Sequence, residues 1–373
     1  MSTGGYRLAI NGAATAVLVR HLDPDLMAQV RAVSDGADQF AHFTVATDRL
    51  RPLVIDAQDA GEDRLLAQRR ALRLLLMSGL ESRMRWSSRV DRVEQLEGRA
   101  VVHLSTGERI VADLVVGAEG ANSPTVRCVT TARLSDDLRL TGIAGSTPRT
   151  VGAPVPRFLR RGPALVFSAD GTGMFLSLTS RGSGPVSPAL AAAVGPPSLV
   201  WGLIAPAHRV DGAGEMTADL LVETAMRLTH RWHPWVQSQI ARTNRDRVAA
   251  YGFRAAHPDS DLTPWDPRHV TALGDAIHAM PPTGGRAAAT ALLDAGELAD
   301  QIGRHLNGDV PLDEALRRYH HNLREWAVPA LKESLGPVSL IHLLGNPAAS
   351  VVARPLLHVA GLIGAGLVGT RAR

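Results

Sequence analysis

Asp275 and His278 stand three residues apart in ALGDAIHAMPPTGGRAAATALLDAGELA, residues 272–299. A carboxylate at the end of an apolar run can accept from a hydroxyl. An imidazole titrates near neutral pH and can carry a proton. Tyr251 adds a phenol on a second strand-like run. These three are the candidate catalytic residues, suited to polarising a carbonyl or moving a proton. His278 has a bland alternative, a hydrogen bond to its own loop, while Tyr251 could offer a pocket hydroxyl. Gly284 and Gly285 follow and precede a helical stretch. Free N–H groups and the dipole at such a helix start favour an anionic or electron-rich ligand. A second turn, DLVVGAEGANSPTVR at 113–127, places Glu119 among glycines that let a backbone approach closely.

Those residues need elements to hold them. RRALRLLLMSGL, 69–80, puts its leucines on one face and ends at a glycine, which predicts a helix. Residues 83–120 predict strands joined by Glu-Gly and Thr-Gly turns. Their last piece, DLVVGAEG, is a continuous apolar run running into glycines. That pattern suits a parallel strand buried on both faces. Residues 131–263 break into short strand-like runs between Gly/Pro-rich loops. HVTALGD, 269–275, is again an apolar run ending in Gly-Asp. Helical stretches follow, including 312–335. Two strand–glycine–helix units thus flank a strand-rich insertion: an α/β core with an inserted lobe. Ligands of such sheets sit at the carboxyl ends of strands.

Taken together and in this order, the two turn motifs resemble the single-component FAD-dependent monooxygenases of the aromatic-hydroxylase type. RWHPW (231–235), TGIAGSTP (141–148) and Arg69 with Leu72 are also similar to that family. The resemblance covers nearly the whole chain. It implies a Rossmann-like FAD-binding domain over 1–130 and 264–335, a substrate-binding domain over 131–263, and a C-terminal helical tail over 336–373. It further implies that Arg69 lies near the flavin, that Asp275 meets the ribityl chain, and that Pro281, Gly284 and Gly285 face the isoalloxazine ring. Glu119 takes the place of that family's Asp-Gly aspartate among the cofactor-binding residues.

The chain also departs from the pattern. Only three residues precede GGYRL, so a remnant domain is expected, its first strand–helix–strand missing. Glu119 is one methylene longer than the family's aspartate. Gly285-Arg286-Ala287-Ala288-Ala289 stands where the family has G-x-G-x-N. Ala287 adds a Cβ where glycine allows close approach, and Ala289 lacks a side-chain amide. A missing first strand would leave an apolar sheet edge, which a second copy or a partner chain could cover. GAGLVG, Gly364–Gly369, fits dinucleotide-fingerprint spacing, but only four residues follow it. It lacks the helix and second strand that give the motif its meaning.

Composition narrows the class. The chain has 373 residues, 45% of them hydrophobic, and a formal net charge of +4. Lys332 is the sole lysine, and the arginines are interspersed with acids, with no basic tract for nucleic acid. One cysteine, Cys128, excludes an internal disulfide and a cysteine-rich metal site. His230 and His233 have no acid or cysteine to complete a metal set, so no metal is expected. No signal peptide or spanning segment is visible, which suits a cytoplasmic protein. The expected function is a tailoring step, cyclisation or isomerisation, on an apolar, polyketide-like molecule, with FAD absent or weakly bound. Two alternatives stay open: an authentic FAD and NAD(P)H-dependent hydroxylase or epoxidase, and a non-catalytic binding protein.

Overall fold

The computed structural model describes residues 7–57, 61–149, 153–180, 184 and 186–345. Gly98 and Gly107 hold φ of +74° and +85°, a region that glycine enters without strain. They reverse the chain between the strands Val90–Leu96, Arg99–Leu104 and Arg109–Ala112. These three form an antiparallel meander, as the turn glycines predict. The next strand, Val115–Gly117, pairs in parallel with Val270–Ala272.

That parallel pair is enclosed, as its unbroken apolar sequence requires. Val270 packs with Val93 and Ala100 of the meander, and Ala272 with Leu298, Leu316 and Tyr319 from the helices Ala287–Leu306 and Leu312–Asn322. The outer edge of the 270–272 strand is satisfied by side chains. Trp265 Nε1 donates to the Val270 carbonyl at 3.2 Å, and the Tyr319 hydroxyl to the Ala272 carbonyl at 2.9 Å. Among the described residues, the 115–117 strand has a strand neighbour on one side only.

The strand-rich lobe is built on a seven-stranded sheet. Its order is Ala249–Ala255, Asp136–Pro148, Ser198–Pro206, Gly173–Leu178, Ala164–Phe167, His42–Thr47 and Pro52–Ala57. One face packs around Trp201 on the helices Ala218–Leu228 and Pro234–Ala241. The other face presents Leu165, Phe167 and Phe253 to Val338, Ile341 and Leu344 of the helix Arg324–Gly345.

Two boundaries differ from the sequence expectation. Strands 42–47 and 52–57 fall inside the segment assigned to the FAD-binding part, yet they complete the second lobe's sheet. The parallel pairing of 42–47 with 164–167 does this, and a pairing so distant in sequence leaves no local trace. The expected tail at 336 begins inside a helix that runs unbroken from Arg324 to Gly345, with Pro329 and Pro337 inside it. Gly364–Gly369 lies outside the described residues. Among the described residues, no helix is long and apolar enough to cross a membrane.

Candidate active site

The strand Val270–Ala272 ends in a sharp turn. Gly274 adopts φ +63°, and the short helix Asp275–His278 starts immediately after it. Asp294, from the middle of the helix Ala287–Leu306, sits beneath this turn. Its Oδ2 accepts from the Gly274 amide at 2.8 Å and lies 2.6 Å from His278 Nε2. Its Oδ1 accepts from Trp326 Nε1 at 2.8 Å. Both His278 and Asp294 are 0% exposed. Burial works against the imidazolium, but the Asp294 carboxylate outweighs it and holds the His278 pKa above its ordinary value.

Asp275 is exposed, yet the protein packed around its carboxyl group partly desolvates it. That desolvation raises its pKa, while His278 and Arg69 pull the other way. Arg69 opens the helix Arg69–Met77. The fold therefore brings Arg69, Asp275 and His278 into one electrostatic neighbourhood.

The 281–285 loop is fixed by the helix Arg324–Gly345. Thr283 Oγ1 donates to the Ser334 carbonyl at 2.6 Å, and Arg286 Nε pairs with Glu333 at 2.8 Å. A Cβ on Gly284 would lie 2.5 Å from Ser334 Oγ and 2.8 Å from its Cα. Gly285 adopts φ +64°, and a Cβ there would meet only Ala9, at 3.9 Å. The helix Ala287–Leu306 then begins with no side-chain cap and no acid in its first turn. Its first N–H groups remain available to an electron-rich ligand.

Beside this loop is a cavity of about 250 Å³. Ile10, Phe40, Phe43 and Leu66 give it apolar walls, Asn11 and Asp56 add a polar stretch, and Gly284 and Gly285 form the loop side. Charge at its rim is paired within the protein. Arg64 pairs with Glu62, which also accepts from the Gly12 amide at 2.7 Å, and Arg286 pairs with Glu333. The hydrogen bond from Arg64 holds Glu62 below the usual carboxylate range. A larger surface groove, about 510 Å³, lies elsewhere, along residues 93–96, Cys128 and Trp265. None of the expected site residues lines it, so the loop cavity is the better candidate.

The expected residues are not all gathered there. Gly284 and Gly285 line the cavity, and Pro281 is buried at the start of their loop. Asp275 and Arg69 are exposed, and neither lines the cavity. His278 is packed beneath the turn and does not line the cavity. Tyr251 stands opposite Gly142 in the seven-stranded sheet, stacked on Phe253 at 5.3 Å, and is not a wall residue either. Glu119 folds back on its own helix start, accepting from the hydroxyls of Ser123, at 2.6 Å, and Thr125. In the H-x-x-H, His233 Nδ1 caps the helix Pro234–Ala241 by accepting from the Trp235 amide at 3.1 Å.

These residues fit the ring and ribityl half of a flavin. An acid and an arginine at a strand end suit a hydroxyl-bearing chain. An open glycine and an uncapped helix start suit the electron-rich edge of a flat ring. Glu119 does not extend this fit, because its carboxylate is engaged with Ser123 and Thr125. Ala289 is 2% exposed and packs in a core with Ile10, Ala14 and Leu65. Sequence reasoning missed Asp294, Trp326 and the cavity phenylalanines. Asp294 did leave a signal: it lies on the same helix face as Thr290, Leu298 and Gln301, all buried. A buried charge on such a face demands partners.

Comparison with known proteins identifies the family. Residues 26–334 match the family described as FAD binding domain. The dual O-methyltransferase/FAD-dependent monooxygenase CTB3 of Cercospora beticola is 27% identical over 285 residues, which cover 69% of this chain and 32% of that protein. The chain thus spans about a third of the length of this curated relative. The structure of Klebsiella pneumoniae HpxO, complexed with FAD and uric acid, superposes with a TM-score of 0.73 at 16% identity. It covers 95% of this chain and 83% of HpxO. P. aeruginosa PqsL, in complex with 2-aminobenzoylacetate, gives a TM-score of 0.67 at 18% identity, covering 93% and 88% of the two chains. The strand-end Gly-Asp turn, the proline loop and the match across most of its length place this chain in the FAD-binding-domain family of FAD-dependent monooxygenases.

Proposed function

We propose that this chain is a tailoring enzyme that acts on an apolar small molecule in the cavity beside the 281–285 loop, with FAD held weakly. The observation that carries this reading is the cavity itself, mostly apolar in its walls, paired in its rim charges and bordered by the loop that suits a flavin ring. Arg69 and Asp275 hold the hydroxyl-bearing chain of the cofactor. Gly285 and the start of the helix Ala287–Leu306 face its ring. Ile10, Phe40, Phe43 and Leu66 hold the substrate and exclude water, so that positioning supplies part of the barrier reduction. When bound, FAD reduced by NAD(P)H supplies the transfer of one oxygen atom from O2. The names of the relatives support the class: CTB3 is a dual O-methyltransferase/FAD-dependent monooxygenase, and HpxO was crystallised with FAD.

A second reading has its own support. Glu119 is turned onto Ser123 and Thr125, and Ala287 stands at the start of the helix beside the loop. Both changes loosen the grip on a flavin and favour a step without redox chemistry, a cyclisation or isomerisation positioned by the same cavity. One experiment separates the readings. The purified chain is incubated with excess FAD, desalted and examined by visible absorption, then assayed for substrate binding, substrate consumption and NAD(P)H oxidation, each with and without oxygen. Flavin uptake with oxygen-dependent NAD(P)H oxidation supports the first reading. Anaerobic turnover of a colourless protein supports the second. Binding without turnover in either condition overturns both and leaves a binding protein.

A further inference from the structure

We propose that Asp294 is a positioning residue, a buried anchor that sets the Gly274 turn and holds His278 in place behind Asp275. The role rests on the flavin site proposed above only in its last link, the presentation of Asp275 to a ligand.

The geometry is specific. One carboxylate receives three donors from three different parts of the chain: the Gly274 amide, His278 Nε2 and Trp326 Nε1. A fully buried carboxylate is expensive unless it is paired and hydrogen-bonded, and each of these contacts meets that need. Trp326 ties the anchor to the helix Arg324–Gly345, the same helix that fixes the 281–285 loop through Ser334 and Glu333. The two halves of the candidate site, the Gly274-Asp275 turn and the loop, therefore share one support.

The charges around His278 are few. Asp294 faces it from the helix Ala287–Leu306 and Asp275 from its own turn, while Arg69 acts on Asp275 from the start of the helix Arg69–Met77. Tyr319, whose pKa is driven well up by burial, stands near Asp294 as a neutral group. His278 thus receives its proton-holding field mainly from Asp294. A ligand hydroxyl that bonds to Asp275 draws on the same field, so ligand binding and His278 ionisation are linked.

The test uses the full chain and three variants, D294N, D275N and W326F. The His278 imidazole is followed by NMR titration, assigned with H278Q, and exchange of the Gly274 amide is measured in parallel. FAD itself is the binding probe, read by fluorescence quenching. D294N keeps the shape and removes the charge, so the His278 midpoint should fall by about one unit or more. The Gly274 amide should exchange faster. FAD binding should weaken about tenfold, as for D275N. W326F removes one donor and leaves the charge, so the His278 midpoint should move in the opposite direction. A merely structural role would not produce opposite shifts. Unchanged titration and exchange in D294N overturn the proposal. If D294N does not fold, a His278 midpoint in W326F that fails to rise overturns it. If the wild-type chain takes up no FAD, the flavin reading falls, while the titration and exchange still decide the role of Asp294.

Discussion

Gly284 and Ser334 pack so closely that no methyl group fits between them. An added Cβ would lie 2.8 Å from the Ser334 Cα, a backbone atom that cannot rotate away. Gly284→Ala is therefore expected to destabilise the protein by about 1–3 kcal/mol through overpacking. Gly285→Ala meets only the Ala9 Cβ at 3.9 Å, so its penalty is the left-handed backbone alone, about 1–2 kcal/mol. Urea denaturation of both variants checks this. If Gly284→Ala is as stable as wild type, the contact between the loop and the C-terminal helix is not as described.

The lobe core makes a separate prediction. Trp201 is 0% exposed, and its Nε1 donates to Thr243 Oγ1 at 2.9 Å. Thr243→Val keeps the shape and strips the acceptor, leaving a buried N–H unsatisfied at about 1–3 kcal/mol. A lower denaturation midpoint with an unchanged slope is the expected result. An unchanged midpoint would show that water or another group reaches the indole.

His320 predicts a pH dependence. It is buried beside Thr271, 2.9 Å from its hydroxyl, and edge-on to Trp265. Burial lowers its pKa to about 4, against about 6.5 in the unfolded chain. The folded pKa is the depressed one, so the unfolded state binds the extra proton between these values. The contribution is fully present above about pH 6.5 and is lost as the pH falls toward 4, by up to about 3 kcal/mol. Stability profiles of wild type and His320→Gln should diverge across that window. Parallel profiles would place His320 in contact with solvent.

Glu119 predicts a gain. Aspartate at this position is one methylene shorter and cannot keep both hydroxyl contacts to Ser123 and Thr125. Combined with Ala287→Gly, Glu119→Asp is expected to tighten FAD retention about tenfold, read as a lower midpoint in fluorescence quenching. No change would mean that the grip on the flavin is set elsewhere.

The meander and its turns were legible in the residues themselves, because Gly98 and Gly107 supply a backbone conformation that other residues resist and the strands between them alternate locally. The helices over 69–80 and after 285, the buried strand over 269–275 and the Gly-Asp turn were legible for the same reason. Local periodicity and special backbone positions are written in adjacent residues. The candidate site was legible only in part. Gly284 and Gly285 line the cavity, whereas Asp275, His278 and Tyr251 do not, because which side chains meet around a cavity is set by packing between distant segments.

By itself, the sequence determined an α/β protein with an inserted strand-rich lobe and the turn chemistry of its family. Only the tertiary structure decided that strands 42–47 and 52–57 join the second lobe's sheet. It alone set Asp294 under Gly274, His278 and Trp326, and drew Arg69 to Asp275 across some two hundred residues. Which acid meets which donor depends on long-range packing. A buried charge is made affordable by partners from distant parts of the chain, and no local pattern records who they are.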